Sequence, residues 1–72
     1  MTFGEKIRRL REEQEISQGV LGERLQMTQR KVSYIENDKY EPSIEDIRII
    51  CQYFHVSANY LLDLPDDLPY PR

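Results

Sequence analysis

Five polar side chains lie on one face of a predicted helix near the middle of the chain. Their spacing of i, i+1, i+4, i+5 and i+8 follows the helical period, and each can form hydrogen bonds: Gln29, Arg30, Ser33, Tyr34 and Asn37. A glutamine amide matches the N6 and N7 edge of adenine, and an arginine guanidinium matches the O6 and N7 edge of guanine. The face therefore has the chemistry to read base edges in a major groove. The alternative is an ordinary solvated helix face.

A tight turn joins this helix to a preceding one. Leu21 and Leu25 lie one turn apart in the first helix, and Val32 and Ile35 lie three residues apart in the second. Each helix thus has one apolar side that neighbouring elements must cover, while its opposite side remains free for function. Lys31 lies off the polar face, which favours a solvated position or a phosphate contact.

Five start signals predict five helices. In each, a serine or threonine precedes a run with helical apolar spacing: Thr2, Ser17, Thr28, Ser43 and Ser57. Glu5 and Asp46 stand three residues after the first and fourth of these, which predicts capping boxes. No segment alternates with period two for long enough to predict a strand. The predicted fold class is all-α.

The first and fourth predicted helices each have an apolar side. The residues are Phe3, Ile7 and Leu10 in the first, and Ile44, Ile47, Ile50, Cys51 and Phe54 in the fourth. Lys6 is expected on the solvated surface of the first helix, among side chains of mixed charge. Arg11 lies four residues after Ile7 on the inward side, so its guanidinium needs an acceptor.

The chain length of 72 residues and the 39% hydrophobic content allow one small domain. We expect that domain over residues 1–64, followed by a proline-rich acidic tail or dimer arm over residues 65–72. Cys51 is the single cysteine, and no Cys/His cluster has metal-ligand spacing, so neither a disulfide, a metal nor a cofactor is expected. Without an apolar run of membrane-spanning length or a signal pattern, we expect a cytoplasmic protein.

The net charge of −3 and the pI near 5.0 count against nonspecific binding to nucleic acid. The negative charge is unevenly distributed, however. Residues 63–72 carry a local charge of −2, whereas residues 28–40 carry a local charge of +1. We therefore expect a binder that depends on specific contacts and is sensitive to salt.

The sequence gives little support to an enzyme. His55 is the only histidine, and no serine or carboxylate stands at a motif spacing that would make it a general base. The three glycines form no phosphate-binding loop. A non-enzymatic protein is expected.

Residues 18–39 resemble the helix-turn-helix of the Cro and phage-repressor type, also called Xre-like, and the five-helix outline resembles that family over nearly the whole chain. The resemblance rests on an ordered series of motifs: Ser17-Gln18 before Leu21, Ile35-Glu36-Asn37, Lys39, Pro42, and Val56-Ser57 before Tyr60-Leu61-Leu62. It implies a compact five-helix, lambda-repressor-like DNA-binding domain with the helix-turn-helix in helices 2 and 3. The implied function is a sequence-specific transcriptional regulator, and more narrowly a repressor.

The resemblance also implies roles for individual residues. The start of the third helix, with Gln29, Arg30 and Ser33, would read bases. The side chains directed at the DNA backbone would be Gln18, Tyr34, Asn37 and Lys39. Arg11 and Glu36 would form a structural ion pair, which supplies the acceptor that the Arg11 guanidinium needs.

Two positions depart from the family pattern. Gln26 and Asp38 each stand where the family commonly has glycine, at turns that need a left-handed backbone. We expect a slightly strained or reshaped turn at Gln26. At Asp38 we expect an intact fold with an added negative charge beside the presumed phosphate contacts.

The fifth helix carries more large apolar side chains than it can turn toward its own core. Leu61 is assigned to the core, and Tyr60, Leu64, Leu68 and Tyr70 to a homodimer interface. A two-fold dimer would require a pseudo-palindromic double-stranded operator. One alternative is that these residues close the core of the monomer. Another is an antitoxin-like or other helix-turn-helix module whose main partner is a protein.

Overall fold

The computed structural model describes residues 1–65, and the expectations for Leu68 and Tyr70 therefore lie outside the described residues. The elements are α1 (Phe3–Glu13), α2 (Gln18–Leu25), α3 (Gln29–Glu36), α4 (Ile44–Phe54) and α5 (Ala58–Leu62). Residues 1–65 contain no strand. The predicted all-α fold with five helices is confirmed.

Each helix begins at its predicted N-cap. The side-chain oxygens of all five caps accept a backbone N–H from the first helical turn: Thr2, Ser17, Thr28, Ser43 and Ser57. Both capping boxes are present, with Glu5 reaching back to Thr2 and Asp46 reaching back to Ser43. These bonds satisfy donors that a helix start would otherwise leave unpaired.

Each helix ends near a non-glycine residue in the left-handed region. These residues have φ between 57° and 58°: Glu15, Gln26, Asp38, His55 and Asp63. None of the glycines within residues 1–65 has a positive φ. The left-handed conformations expected at Gln26 and Asp38 are therefore present, and each costs conformational energy because a Cβ atom crowds the following carbonyl.

The core is formed where α1, α2 and α3 meet and is closed by α4 and α5. Its fully buried apolar residues are Ile7, Leu21, Leu25, Val32, Ile35, Ile50 and Leu61. Phe3, Leu10, Cys51 and Phe54 pack against this cluster and are partly buried. The apolar sides predicted for α1 to α3 therefore face inward, as do Ile50, Cys51 and Phe54 of α4, and Leu61 takes its predicted place in the core.

Two predicted positions are wrong, that of Ile44 on an apolar helix side and that of Lys6 on the solvated surface. Ile44 is 80% exposed, because it is the first residue of α4 and its side chain projects back over the helix start, away from the core. Lys6 is only 5% exposed, because the end of α5 covers it. Its ammonium group pairs with the Asp63 carboxylate and donates to the carbonyl of Tyr60 at 2.7 Å. Sequence periodicity gave no indication that α5 would supply these acceptors.

Candidate nucleic-acid interface

The turn between α2 and α3 is set by a close approach of two backbone segments. Gly22 is buried, and a Cβ atom at this position would lie 2.6 Å from the Met27 carbonyl oxygen. The Met27 N–H in turn donates to the Gly22 carbonyl at 2.8 Å. Gln26, with φ 58° and ψ 43°, closes α2 in the place where the family pattern has glycine. Two separate constraints therefore act on this turn: Gly22 has no room for a Cβ atom, and Gln26 has a left-handed backbone without being glycine.

Helix α3 has an inward and an outward side. Val32 and Ile35 are buried on the inward side and anchor the helix to the core. The five residues of the predicted polar face are exposed except for Ser33, which is half-buried: Gln29, Arg30, Ser33, Tyr34 and Asn37. The structure thus brings these five side chains to one solvent-facing side of a rigidly packed helix.

Gln29 lies beside the first turn of α2. Its carboxamide oxygen is 3.6 Å from the point where a Cβ atom of Gly19 would be. The absence of a side chain at Gly19 leaves this amide uncovered by α2. The start of α3 and the start of α2 therefore share one surface, on which polar groups from both helices can meet a common ligand.

Glu36 connects three helices. Its side chain is fully buried and accepts from Arg11 Nε at 2.7 Å and from Arg11 Nη2 at 3.1 Å. It also accepts from Gln18 Nε2 at 3.1 Å, and Arg8 Nε lies 3.6 Å away. The hydrogen bond to Glu36 raises the pKa of Arg11 above its ordinary value. The structure thus brings Arg11 and Glu36 together and adds Gln18, whose role here the sequence did not indicate.

Asn37 closes α3 and is bonded on both sides of its amide. Its Nδ2 donates to the carbonyl of Ser33 at 2.8 Å, and its Oδ1 accepts from Arg8 Nη2 at 2.8 Å. The same Nδ2 also lies 3.4 Å from the Ser33 hydroxyl oxygen, so both of its internal contacts are with Ser33. Arg8 of α1 therefore borders the interface, a contribution that the sequence did not indicate because α1 is remote in the chain.

Asp38 is tied to the start of α1. Its carboxylate accepts from the Thr2 hydroxyl at 2.6 Å and from the Gly4 N–H at 2.9 Å. These two hydrogen bonds hold the pKa of Asp38 below its ordinary value. The added negative charge therefore faces the positive end of a helix dipole, which stabilises it.

Lys31 is paired within the protein. Its Nζ donates to Asp46 Oδ1 at 2.9 Å and lies 5.3 Å from the centre of the Tyr40 ring. The hydrogen bond to Asp46 raises the pKa of Lys31. Burial alone would raise the pKa of Asp46, but the hydrogen bonds from Lys31 and Ser43 outweigh it and lower the pKa. Lys31 thus occupies a structural position, whereas the sequence suggested a solvated one or a phosphate contact.

Lys39 lies in the loop after α3, and its side chain is exposed. Within residues 1–65 the side chains of Lys39 and Arg30 make no hydrogen bond or ion pair. The Lys39 backbone N–H donates to the Tyr34 carbonyl at 2.8 Å, which fixes the course of the chain after α3. Two unpaired cations therefore lie at opposite ends of α3.

The predicted dimer surface is partly described. Tyr60 and Leu64 are 44% and 47% exposed, and Leu62 lies with them among the exposed large apolar residues. The Lys6 ammonium lies 5.0 Å from the centre of the Tyr60 ring. These side chains are thus not taken up by the core of residues 1–65.

Neither a metal site nor a membrane segment is present in the described part of the chain. No group of three or more His, Cys, Asp or Glu side chains within residues 1–65 could hold a metal ion. Across these same residues, each helix is too short or too polar to cross a bilayer.

Both the sequence and the fold match those of known proteins. The model of a family described as "Helix-turn-helix domain" matches residues 2–64, and the chain belongs to this family. Its fold is that of the Cro and phage-repressor type. Comparison with curated proteins gave no match.

Two solved structures illustrate the likeness. One is a crystal structure of the P22 c2 repressor protein in complex with a synthetic operator. It shares 28% identity at a TM-score of 0.80, with 93% of this chain and 98% of that chain covered. The other is the solution structure of the DNA-binding domain of the P22 c2 repressor. It shares 28% identity at a TM-score of 0.78, with 94% and 92% covered.

Proposed function

We propose that this protein is a sequence-specific double-stranded DNA-binding transcriptional regulator, acting as a repressor, that inserts α3 into the major groove. The observation that carries the proposal is the solvent-facing polar side of α3, with Gln29 and Arg30 at its start. It lies within a helix-turn-helix whose fold matches a repressor structure in complex with an operator. A groove-inserted helix meets base edges first with the residues of its N-terminal turns.

Gln29, Arg30 and Ser33 are assigned to base reading. Gln29 and Arg30 can each form two hydrogen bonds to one base, and such a pair contributes about 1 to 3 kcal/mol of discrimination. Ser33, one turn further along, offers a hydroxyl that can donate or accept. Lys31 is excluded from this set because Asp46 already holds its ammonium group.

Gln18, Tyr34, Asn37 and Lys39 are assigned to the DNA backbone. Gln18 uses one amide proton on Glu36 and retains a second for a phosphate oxygen, whose direction the internal bond fixes. Asn37 Nδ2 donates to the Ser33 carbonyl and lies 3.4 Å from the Ser33 hydroxyl oxygen, a long contact that a phosphate oxygen could replace. Lys39 contributes an exposed charge, which gains affinity by releasing a counterion from the duplex.

A homodimer through α5 is part of the proposal. One short helix places few side chains in the groove, so a single domain with a weakly positive face gathers too few contacts for tight binding at physiological salt. Tyr60, Leu62 and Leu64 are exposed apolar side chains, and a second copy could cover those of Tyr60 and Leu64. Two-fold symmetry then requires a pseudo-palindromic operator with half-sites about 34 Å apart.

A protein-binding module, such as an antitoxin, is the second candidate function. The same exposed side chains of Tyr60, Leu62 and Leu64 favour it, because a different protein could cover them instead of a second copy. The net charge of −3 is also compatible with a partner other than nucleic acid.

Selection of bound duplexes from a random-sequence pool by the purified protein tests the proposal. We expect recovery of a two-fold symmetric sequence, with footprinting protection of both half-sites and sedimentation as a dimer on that duplex. Arg48→Ala is the control variant, since it removes one exposed cation of α4 and should recover the same sequence. A pool that shows no enriched sequence, with no shift of any duplex, would leave the protein-binding module as the better account.

A further inference from the structure

Lys39 lies between two neighbours that are both anchored to distant parts of the chain. The segment between α3 and α4, residues 37–43, contains no helix. On one side of Lys39, the Asp38 carboxylate is held by the Thr2 hydroxyl and the Gly4 N–H at the start of α1. A loop fixed immediately before an exposed lysine limits where the ammonium group can reach.

On its other side, Tyr40 is held by α3 and α4 together. The Tyr40 hydroxyl donates to Asp46 Oδ2 at 3.3 Å, while Lys31 donates to Oδ1 of the same carboxylate at 2.9 Å. The Lys31 ammonium also lies 5.3 Å from the centre of the Tyr40 ring, within range of a cation–π contact. The Asp46 side chain is 7% exposed and that of Lys31 32%, so salt screens this pair less than a fully exposed one.

We propose that the cluster of Lys31, Asp46 and Tyr40 holds the loop in place, so that Lys39 starts within reach of a backbone phosphate. Lys31 and Asp46 act through Lys39 and do not touch the duplex. The inference rests on the proposed DNA binding and adds positioning residues to that site. Prior ordering of the loop matters because ordering a loop during binding lowers affinity.

Positioning of Lys39 and simple electrostatic attraction predict opposite effects of Asp46→Asn on DNA affinity. Asp46→Asn removes a negative charge and frees the Lys31 ammonium, so electrostatic attraction alone would tighten binding to any duplex. Loss of positioning would weaken it. The capping box with Ser43 can be kept by the asparagine oxygen, which limits damage to the start of α4.

The test is a double-mutant cycle on binding of the fluorescently labelled duplex recovered by selection, about 20 base pairs long to hold two half-sites. We expect Asp46→Asn and Lys31→Met each to weaken binding about three- to tenfold, a size typical of ordering costs at an interface. In a Lys39→Ala background each should change affinity by less than about twofold.

Arg48→Met is the charge-matched control, because Arg48 is exposed and pairs with Glu45 within α4. Arg48→Met should change duplex affinity by the same factor in the wild-type and Lys39→Ala backgrounds. A second measurement uses the free protein: amide hydrogen exchange at Lys39, whose N–H donates to the Tyr34 carbonyl, should be faster in Lys31→Met. This readout keeps the test valid if a variant is less stable, because exchange across the core reports global unfolding separately.

Several outcomes would overturn the inference. They are tighter binding by Asp46→Asn, an undiminished effect of Lys31→Met in the Lys39→Ala background, and unchanged exchange at Lys39. Any of these with normal wild-type binding refutes the positioning role and leaves the proposed function standing. Wild-type protein that binds no duplex would refute both.

Discussion

The side-chain amide of Gln18 is hydrogen-bonded to the carboxylate of Glu36, with Nε2 and Oε1 3.1 Å apart. The same carboxylate holds the Arg11 guanidinium, so the first residue of α2 and the last residue of α3 are fixed to α1 through one buried group. In the proposed function Gln18 faces the DNA backbone. In that proposal the structural ion pair would also set the direction of the phosphate contact, which would couple stability and binding at Glu36.

Loss of either member of the Arg11 and Glu36 pair should strongly destabilise the fold. Glu36→Ala leaves the Arg11 guanidinium without its carboxylate, and Arg11→Ala leaves the buried Glu36 carboxylate with only Gln18 and the more distant Arg8. Breaking comparable buried pairs costs about 3 to 5 kcal/mol. A double-mutant cycle on the free energy of unfolding measures the coupling. Arg48→Ala, in an exposed pair on α4, should cost less than about 1 kcal/mol. A coupling energy of zero between Arg11 and Glu36 would show that the pair contributes nothing.

Arg30 and Lys39 should affect DNA binding in different ways. Arg30→Ala should relax the preference at one base position, because a side chain that reads a base edge discriminates between sequences. Lys39→Ala should weaken all duplexes alike and reduce the slope of log K against log salt by about one. Affinities for the selected duplex and its single-base variants, measured across salt concentrations, separate the two. Equal losses on every sequence would contradict the assignment.

Helix starts and the outward face of α3 could be predicted from the sequence because both depend on local signals. An N-cap side chain bonds within its own first turn, and the helical period assigns Val32 and Gln29 to opposite sides without reference to other elements. Each predicted start is present.

Contacts between distant segments could not be predicted in the same way. Lys6 was expected at the surface because its covering partner, Asp63, is more than fifty residues away in the chain. Asp38 likewise contacts Gly4, 34 residues away at the start of α1, and Lys31 pairs with Asp46, 15 residues away. No local signal in the sequence indicates either contact. Arg11 is the exception, because the family resemblance supplied the partner Glu36.

Alanine substitution should lower stability at Gly4 and Gly22 and raise it at Gly19. A Cβ atom at Gly4 would lie 2.4 Å from the Glu36 carbonyl oxygen, and one at Gly22 would lie 2.6 Å from that of Met27. Backbone would have to move in both, so we expect a loss of about 1 to 3 kcal/mol, as in overpacked cores. Gly19→Ala is the matched control, with its nearest atom at 3.6 Å, and should raise helix stability. Thermal unfolding of the three variants measures these changes in stability. Equal effects at all three positions would contradict the close approach of backbone to Gly4 and Gly22.

Gln26→Gly should stabilise the protein. Gln26 has a φ of 58°, a conformation that glycine adopts without the crowding of a Cβ atom. We expect a gain of about 0.5 to 1 kcal/mol, since the relief of crowding exceeds the entropy that glycine loses on folding. Gln52→Gly, at an exposed position inside α4, should lose stability by about 1 kcal/mol. Destabilisation by both substitutions would mean that the Gln26 turn is not strained.

Acid should destabilise the fold partly through Asp46. The folded-state pKa of this carboxyl is lowered from its ordinary value of 3.8, so its contribution is present above that value and is lost as the pH falls toward the lowered pKa. Asp46→Asn should therefore reduce stability at neutral pH and make the loss below about pH 4 shallower. Unfolding free energies across this pH range test the sign. Parallel pH profiles for the two proteins would contradict it.

The most direct test of the central claim is a nuclear magnetic resonance titration of the protein with the duplex recovered by selection. The proposal predicts that backbone amide shifts will be largest over residues 28–39 and at Gln18, with the core residue Ile50 little affected. The dimer proposal adds changes at Tyr60 and Leu64. A duplex that leaves the α3 amides unshifted, or shifts only those of α5, would contradict reading of DNA by this helix.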